Sequence, residues 1–198
     1  MAQKGKVVAI TGASGYVGAK LLAQLEREPG LRKIVAFDVT PLRVPVHNIA
    51  FYRKNVSEPI DDELNDQDAT TVVHLAFNPK NGANHRETDA IREENVETLR
   101  SVMASCARTR VTHLIYLSSH AVYGSHSDNP IPISEDATMR PSSDDSSAHA
   151  KQQCEMILQE FALAQDDIKI TTLRSCVVLG NGTDNPTVDS YFRPWMLG

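Results

Sequence analysis

Eight residues near the start constrain this chain more than any others: Thr11-Gly12-Ala13-Ser14-Gly15-Tyr16-Val17-Gly18. They follow a short apolar run, Lys6-Val7-Val8-Ala9-Ile10, that reads as a buried strand. They open a helical pattern from Tyr16 to Glu28, in which Val17, Leu21, Leu22 and Leu25 recur at helical spacing until Pro29-Gly30 stops it. A strand that turns straight into a helix needs glycine at particular places. Gly12 permits the tight turn, Gly15 leaves the backbone open to an approaching ligand, and Gly18 lets helix and strand pack closely. The helix start then offers free N–H groups to an anion such as a diphosphate. The rival phosphate motif needs Gly-Lys-Ser/Thr, which the sequence does not contain.

A second feature is independent of the glycines. The next apolar run, Lys33 to Asp38, ends in a carboxylate 20 residues after Gly18. A carboxylate there accepts hydrogen bonds from the hydroxyls of an adenosine ribose and repels a 2′-phosphate. The expected cofactor is therefore NAD, in preference to NADP.

The rest of the chain repeats the alternation. Ala50-Phe51-Tyr52, Thr71 to Ala76, Thr112 to Ser118 and Ile168 to Leu173 read as further strands. Helical patterns run from about Thr88 to Arg110, with Ile91, Val96, Leu99, Val102 and Met103 as apolar stripe, and from about Ser147 to Ala164. Residues 124–146, rich in Asp, Ser and Pro, read as an irregular loop, of a length that is uncommon without a function. Asp144-Asp145 is placed to cap the helix that follows. Strands apolar throughout, separated by helices, predict an α/β fold: a doubly wound parallel sheet of the Rossmann type, with helices on both faces and right-handed crossovers. After Gly180 the alternation ends.

Composition sets the remaining bounds. An apolar content of 41% and a charged content of 23% are those of a soluble globular domain. The net charge of −5 gives no general reason to expect nucleic acid. No apolar run approaches the ~20 residues needed to cross a bilayer, and the polar N-terminus does not read as a signal peptide, so no membrane partner is expected and the location read is cytoplasmic. Cys106, Cys154 and Cys176 are far apart and join no Cys/His grouping, so they read as reduced thiols in or near the core and no metal is expected.

Taken together, these motifs resemble those of the extended short-chain dehydrogenase/reductases, the group of NAD-dependent epimerases and dehydratases. The Gly-x-x-Gly-x-x-Gly spacing of Gly12, Gly15 and Gly18 is similar to theirs. Asn55-Val56, His74-Leu75-Ala76, Asn95-Val96, Ser118 to Gly124, and Leu173-Arg174 through Gly180 match further motifs in order, although Thr98-Leu99 departs from the usual Gly-Thr. The resemblance implies a cofactor site of Gly12, Ser14, Gly15, Tyr16, Val17, Asp38, Asn55, Val56, Leu75, Ala76, Phe77, Asn95 and Lys151. It implies a substrate-facing Ser119, with Tyr123 lining the pocket, and catalysis through Ser119, Lys151 and a Tyr four residues before that Lys. This chain holds Ser147 at the Tyr position. A phenol, with a pKa near ~10, can be brought towards neutrality by an ammonium, and an aliphatic hydroxyl cannot. His149 has a suitable pKa but sits on another helix face, and a surface or structural role is expected. Arg174 reads equally as an anion binder or as one half of an ion pair.

The resemblance also implies a division of the chain. Residues 1–180 would form the NAD-binding domain, and 181–198 the start of a truncated substrate-binding region, the C-terminal lobe being largely absent. The expected function is NAD-dependent hydride transfer on a sugar-nucleotide or similar hydroxyl or carbonyl substrate. The alternative is a non-catalytic NAD(P)-binding sensor or regulator. The implied partners are a small-molecule substrate and, through helices 88–110 and 147–164, a second copy of the chain.

Overall fold

A computed structural model describes residues 5–80, 82–180 and 182. Six parallel strands form one sheet: β1 (Lys6–Thr11), β2 (Leu31–Asp38), β3 (Ile49–Arg53), β4 (Thr71–His74), β5 (His113–Ser119) and β6 (Lys169–Ser175). Their order across the sheet is β3-β2-β1-β4-β5-β6. The chain thus winds outward from β1 in one direction, returns, and winds outward from β4 in the other. The loops leaving β1 and β4 part at that reversal and open a crevice at the strands' carboxyl ends. This is the expected Rossmann-type architecture.

Burial on both faces of β1 explains why it reads as an unbroken apolar run. Val7 and Ala9 pack with Val35, Phe37, Val72, Leu99, Val102 and Leu114, whereas Val8 and Ile10 pack with Leu22, Ile34 and Ala36. Alternate residues of a strand point to opposite faces, so one strand serves two cores. Helix α1 (Tyr16–Leu25) covers the second face through Leu22, with Leu21 and Leu25 beside it. Helices α3 (His85–Ala107) and α4 (Ser146–Ala164) supply Leu99, Val102, Cys154 and Leu158 to the first. Each such side chain contributes about 1.5–3 kcal/mol by leaving water.

Several local expectations need correction. Helix α3 starts at His85 rather than Thr88, because Asn84 caps it, accepting a hydrogen bond from the Glu87 amide at 3.0 Å. It also ends earlier than expected, at Ala107. A short helix α2 (Asp61–Asp66) went unpredicted: its sequence, Asp-Asp-Glu-Leu-Asn-Asp, carries a single apolar residue, and that residue, Leu64, is fully buried. The strand leading to Leu75-Ala76 stops at His74. Strand β6 is an edge strand and is not apolar throughout; Leu173 is 50% exposed. Cys106 and Cys154 are buried, but Cys176 is exposed; all three are free. Asp145 caps α4 as expected, accepting from the Ala148 amide at 2.9 Å. The segment 181–198, read as the start of a substrate-binding region, lies outside the described residues apart from Gly182.

Candidate functional site

The crevice encloses about 450 Å³ and collects side chains and backbone from four loops and from helix α3. Gly12, Ser14, Gly15, Asp38, Asn55, Val56, Leu75, Ala76, Phe77 and Asn95 all line it. Gly12 turns the chain out of β1 at φ +69°, and a Cβ there would lie 2.6 Å from the Ala76 nitrogen. Gly18 is equally confined, since a Cβ would lie 2.4 Å from the Gly12 carbonyl oxygen. At Gly15 a Cβ would meet one atom within 4 Å, the same carbonyl oxygen at a tight 3.2 Å, and the rest of that side of the loop is open. Gly15 is also the N-cap of α1, and no side chain caps that helix. Its leading N–H groups therefore need an acceptor from outside the helix, water or an anion.

Asp38 ties the glycine turn to the end of β2. Its Oδ2 accepts from the Ser14 amide at 2.9 Å, and its Oδ1 from the Thr40 amide and hydroxyl, each at 2.9 Å. The Ser14 hydroxyl donates to the Thr40 carbonyl at 2.8 Å. On the far side of the crevice Asn95, buried on α3, grips the loop after β4. Its Oδ1 accepts from the Asn78 amide at 2.7 Å and its Nδ2 donates to the Asn78 carbonyl at 2.9 Å. Asn95 thus fixes the wall formed by Leu75, Ala76 and Phe77.

His74 at the end of β4 is fully buried. Its Nδ1 lies 2.6 Å from the Thr11 hydroxyl, which also accepts from the Ala76 amide at 3.3 Å. This link joins β1 to β4 at the floor of the crevice. Burial, assisted by the nearby Lys151 ammonium, pushes the imidazole pKa down from 6.5 to about 3. Protonation is therefore easier in the unfolded chain. The stabilisation is complete above pH 6.5 and is lost as pH falls towards 3. Between pH 7 and pH 4 this one group should cost the fold on the order of 3 kcal/mol. Urea melts of the parent and of His74→Asn across that range check it; equal pH slopes in the two proteins would contradict the assignment.

The remaining expected residues lie outside the crevice lining. Lys151 is buried behind Phe77, whose ring centroid is 3.7 Å from Nζ, and above Tyr116, at 4.7 Å. Its Nζ donates to the Leu117 carbonyl at 2.7 Å, and desolvation lowers its pKa to about 8. The Ser119 hydroxyl accepts from the Ala121 amide at 3.2 Å and so caps a 3-10 turn, His120–Tyr123. Ser147 sits half-buried in the first turn of α4. Tyr123 is buried, with its hydroxyl bonded to Arg174 and its ring 5.0 Å from that guanidinium. Arg174 is one half of an ion pair: it donates to both carboxylate oxygens of buried Glu155, from Nε at 3.0 Å and Nη2 at 2.8 Å to Oε2. Glu155 also accepts from the Ser118 hydroxyl. Tyr16 abuts Gly180 with its hydroxyl, and Val17 lies partly buried in the first turn of α1.

Sequence reasoning did not single out Arg43 and Lys54, and it noted Thr98 only as a departure from the motif; all three also line the crevice. Nor did it find Tyr116 beneath Lys151. Arg43 and Lys54 stand in or beside the β2–β3 connection, where no periodicity marks them. Among the described residues, no group of three or more His, Cys, Asp or Glu is placed to hold a metal ion, and no helix is long and apolar enough to cross a membrane.

A parallel sheet ordered 3-2-1-4-5-6, with a glycine turn and a strand-end carboxylate at its reversal point, defines a dinucleotide-binding fold of the Rossmann class. The family model described as "NAD dependent epimerase/dehydratase family" matches residues 8–197, and the chain belongs to that family. It is 26% identical over 205 residues to an uncharacterised protein of Mycobacterium tuberculosis, covering 99% of this chain and 52% of that one. It is 31% identical over 118 residues to the short-chain dehydrogenase/reductase family 42E member 1 of Homo sapiens, covering 58% of this chain and 30% of that protein. Among solved structures, MoeE5 in complex with UDP-glucuronic acid and NAD is 27% identical, with a TM-score of 0.79, over 94% of this chain and 60% of that one. The chain thus spans about half the length of the Mycobacterium relative and less than two thirds of the others.

Proposed function

We propose that this chain is the cofactor-binding part of an NAD-dependent oxidoreductase that acts on a hydroxyl or carbonyl group of a nucleotide sugar or a similar small molecule. One observation carries the reading: the uncapped start of α1, the glycine turn and Asp38 converge on a single crevice at the sheet's reversal point. The fit is tight where it must be, since Gly12 and Gly18 have no room for a Cβ, while Gly15 leaves the loop open for a diphosphate. The N–H groups of that loop and of the first turn of α1 would hold the diphosphate, Asp38 the adenosine ribose, and Asn55 and Val56 the adenine. Leu75, Ala76 and Phe77 would wall the path towards the nicotinamide, and Lys151 would meet the nicotinamide ribose. When bound, NAD supplies the hydride acceptor. Ser119 would orient the substrate oxygen, with Tyr123 lining its approach.

MoeE5 binds UDP-glucuronic acid and NAD, and this supports a nucleotide-sugar substrate here. In the same reading residues 181–198 begin the substrate-binding region, the protein works in the cytoplasm, and it pairs as a homodimer through α3 and α4. Met156 and Leu163, two turns apart on α4 and 51% and 86% exposed, favour that pairing. Calorimetric titration with NAD+ tests the cofactor assignment; no heat of binding at millimolar ligand removes it.

A second reading has its own observation. Ser147 stands in the first turn of α4, four residues before Lys151, where the family's chemistry needs a phenol. A serine hydroxyl cannot serve as that acid. On this reading the chain binds the dinucleotide as a sensor or regulator and turns nothing over. Ser147→Tyr, made in a full-length chain, is then expected to create dehydrogenase or epimerase turnover absent from the parent. Turnover by the parent itself removes the second reading.

A further inference from the structure

Phe77 lines the crevice, whereas Lys151 and Ser119 do not. The Phe77 ring stands over the lysine: its centroid is 3.7 Å from Nζ, and Lys151 is 8% exposed. On this side the crevice therefore ends at an aromatic ring, with the ammonium behind it.

That ammonium is short of acceptors. It carries three N–H donors. One goes to the Leu117 carbonyl at 2.7 Å, and among the described residues Nζ has no second acceptor. The faces of Phe77 and Tyr116 take up the rest of its surroundings, at 3.7 and 4.7 Å. Ring faces attract a desolvated cation, but they do not replace directed hydrogen bonds to oxygen.

The backbone on either side of the ring is pinned. The Leu75 amide donates to the Thr11 carbonyl at 3.1 Å, and the Ala76 amide to the Thr11 hydroxyl at 3.3 Å. On the other side Asn78 exchanges two hydrogen bonds with the Asn95 side chain. The segment is held too firmly to swing as a loop. The ring can leave Nζ by a change of rotamer alone.

We propose that Phe77 is a gate: without ligand its ring covers Lys151 and closes this end of the crevice to anything longer than an adenosine diphosphate, and it turns aside to admit a whole dinucleotide, whose second ribose then offers Nζ the oxygens it lacks. The inference rests on the dinucleotide reading of the crevice and makes Phe77 a specificity-determining residue, one that sets the preference between NAD and ADP. A ligand that ends at the diphosphate leaves the ring on the ammonium. A longer one binds only the open fraction of the chain, so its apparent affinity falls by that fraction.

Two measurements on the chain test this. Calorimetry with NAD+ and ADP compares the parent with Phe77→Ala, in which the gate is always open. Phe77→Ala is expected to tighten NAD+ by about tenfold and to leave ADP within about twofold. The other measurement needs no ligand: acetylation by an amine-reactive ester, read by peptide mass spectrometry. Lys151 is expected to label about tenfold faster in Phe77→Ala, by the same open fraction, while half-buried Lys33 on β2 keeps its rate and reports an intact fold. Phe77→Leu keeps apolar bulk without a ring face, and should move both readouts in the same direction by a smaller factor; it replaces Phe77→Ala if Lys33 also labels faster there. Phe77→Tyr keeps the ring face and should stay with the parent. If opening the gate leaves the NAD+-to-ADP ratio unchanged or lowers it, or leaves Lys151 labelling as slow as before, the ring is a fixed wall and the proposal is overturned while the crevice reading stands. If the parent binds neither NAD+ nor ADP, the crevice reading itself falls and takes this inference with it.

Discussion

Gly12→Ala is expected to destabilise the protein by about 3 kcal/mol or more and to abolish dinucleotide binding. Two costs add. The residue occupies φ +69°, where an L side chain is strained by about 1–2 kcal/mol. The new Cβ would also fall 2.6 Å from the Ala76 nitrogen and 2.8 Å from its Cα, and these are backbone atoms. Relief requires β1 and β4 to move apart at the reversal point, which opens the wall opposite Asp38. Gly30→Ala is the control: a Cβ there meets nothing within 4 Å, so stability should hold or rise slightly. Urea denaturation with NAD+ titration on both variants measures the contrast. A Gly12→Ala protein as stable as the parent would show that the turn has slack the distances do not reveal.

The second large effect lies away from the crevice. Glu155 is 2% exposed and relies on Arg174, whose side chain is 19% exposed. Removing one partner of such a pair strands the other, at about 3–5 kcal/mol. Arg174→Met should therefore cost about that much, because the Glu155 carboxylate keeps only the Ser118 hydroxyl. It should also loosen Tyr123 and the loop at Glu135, both of which Arg174 touches. Replacing both partners, Arg174→Met with Glu155→Leu, is expected to recover much of the loss, since no buried charge then remains. Guanidinium melts of the singles and the double check this. A loss below about 1 kcal/mol in the single variant would place the pair in solvent-like surroundings.

The same two regions show what local sequence can and cannot reveal. Gly12, Gly15, Gly18 and Asp38 were legible because their roles are dictated within a few residues: a turn, a close approach, a strand end. The strands of the centre were legible because burial on both faces leaves only apolar residues. Helix α2 was not, since one buried leucine makes no periodicity. Neither was the pairing of Glu155 with Arg174, which lie 19 residues apart on a helix and a strand. The neighbour of Asp38 across the sheet was hidden for a similar reason. Register between β2 and β3 brings Arg53 beside Asp38, and nothing along the chain announces that register. Lys151 was named from its motif, but its place behind Phe77 is a product of packing.

The strand order carries a kinetic consequence. Strand β1, made before the other five of this sheet, lies in its middle, and one of its two neighbours is Thr71–His74. A growing chain cannot complete its central ladder until more than sixty further residues have emerged. Closing so wide a loop is entropically costly and slows the search. Until then a highly apolar ribbon stands half-zipped, the moment at which such chains are most prone to clump and most dependent on a chaperone's shelter.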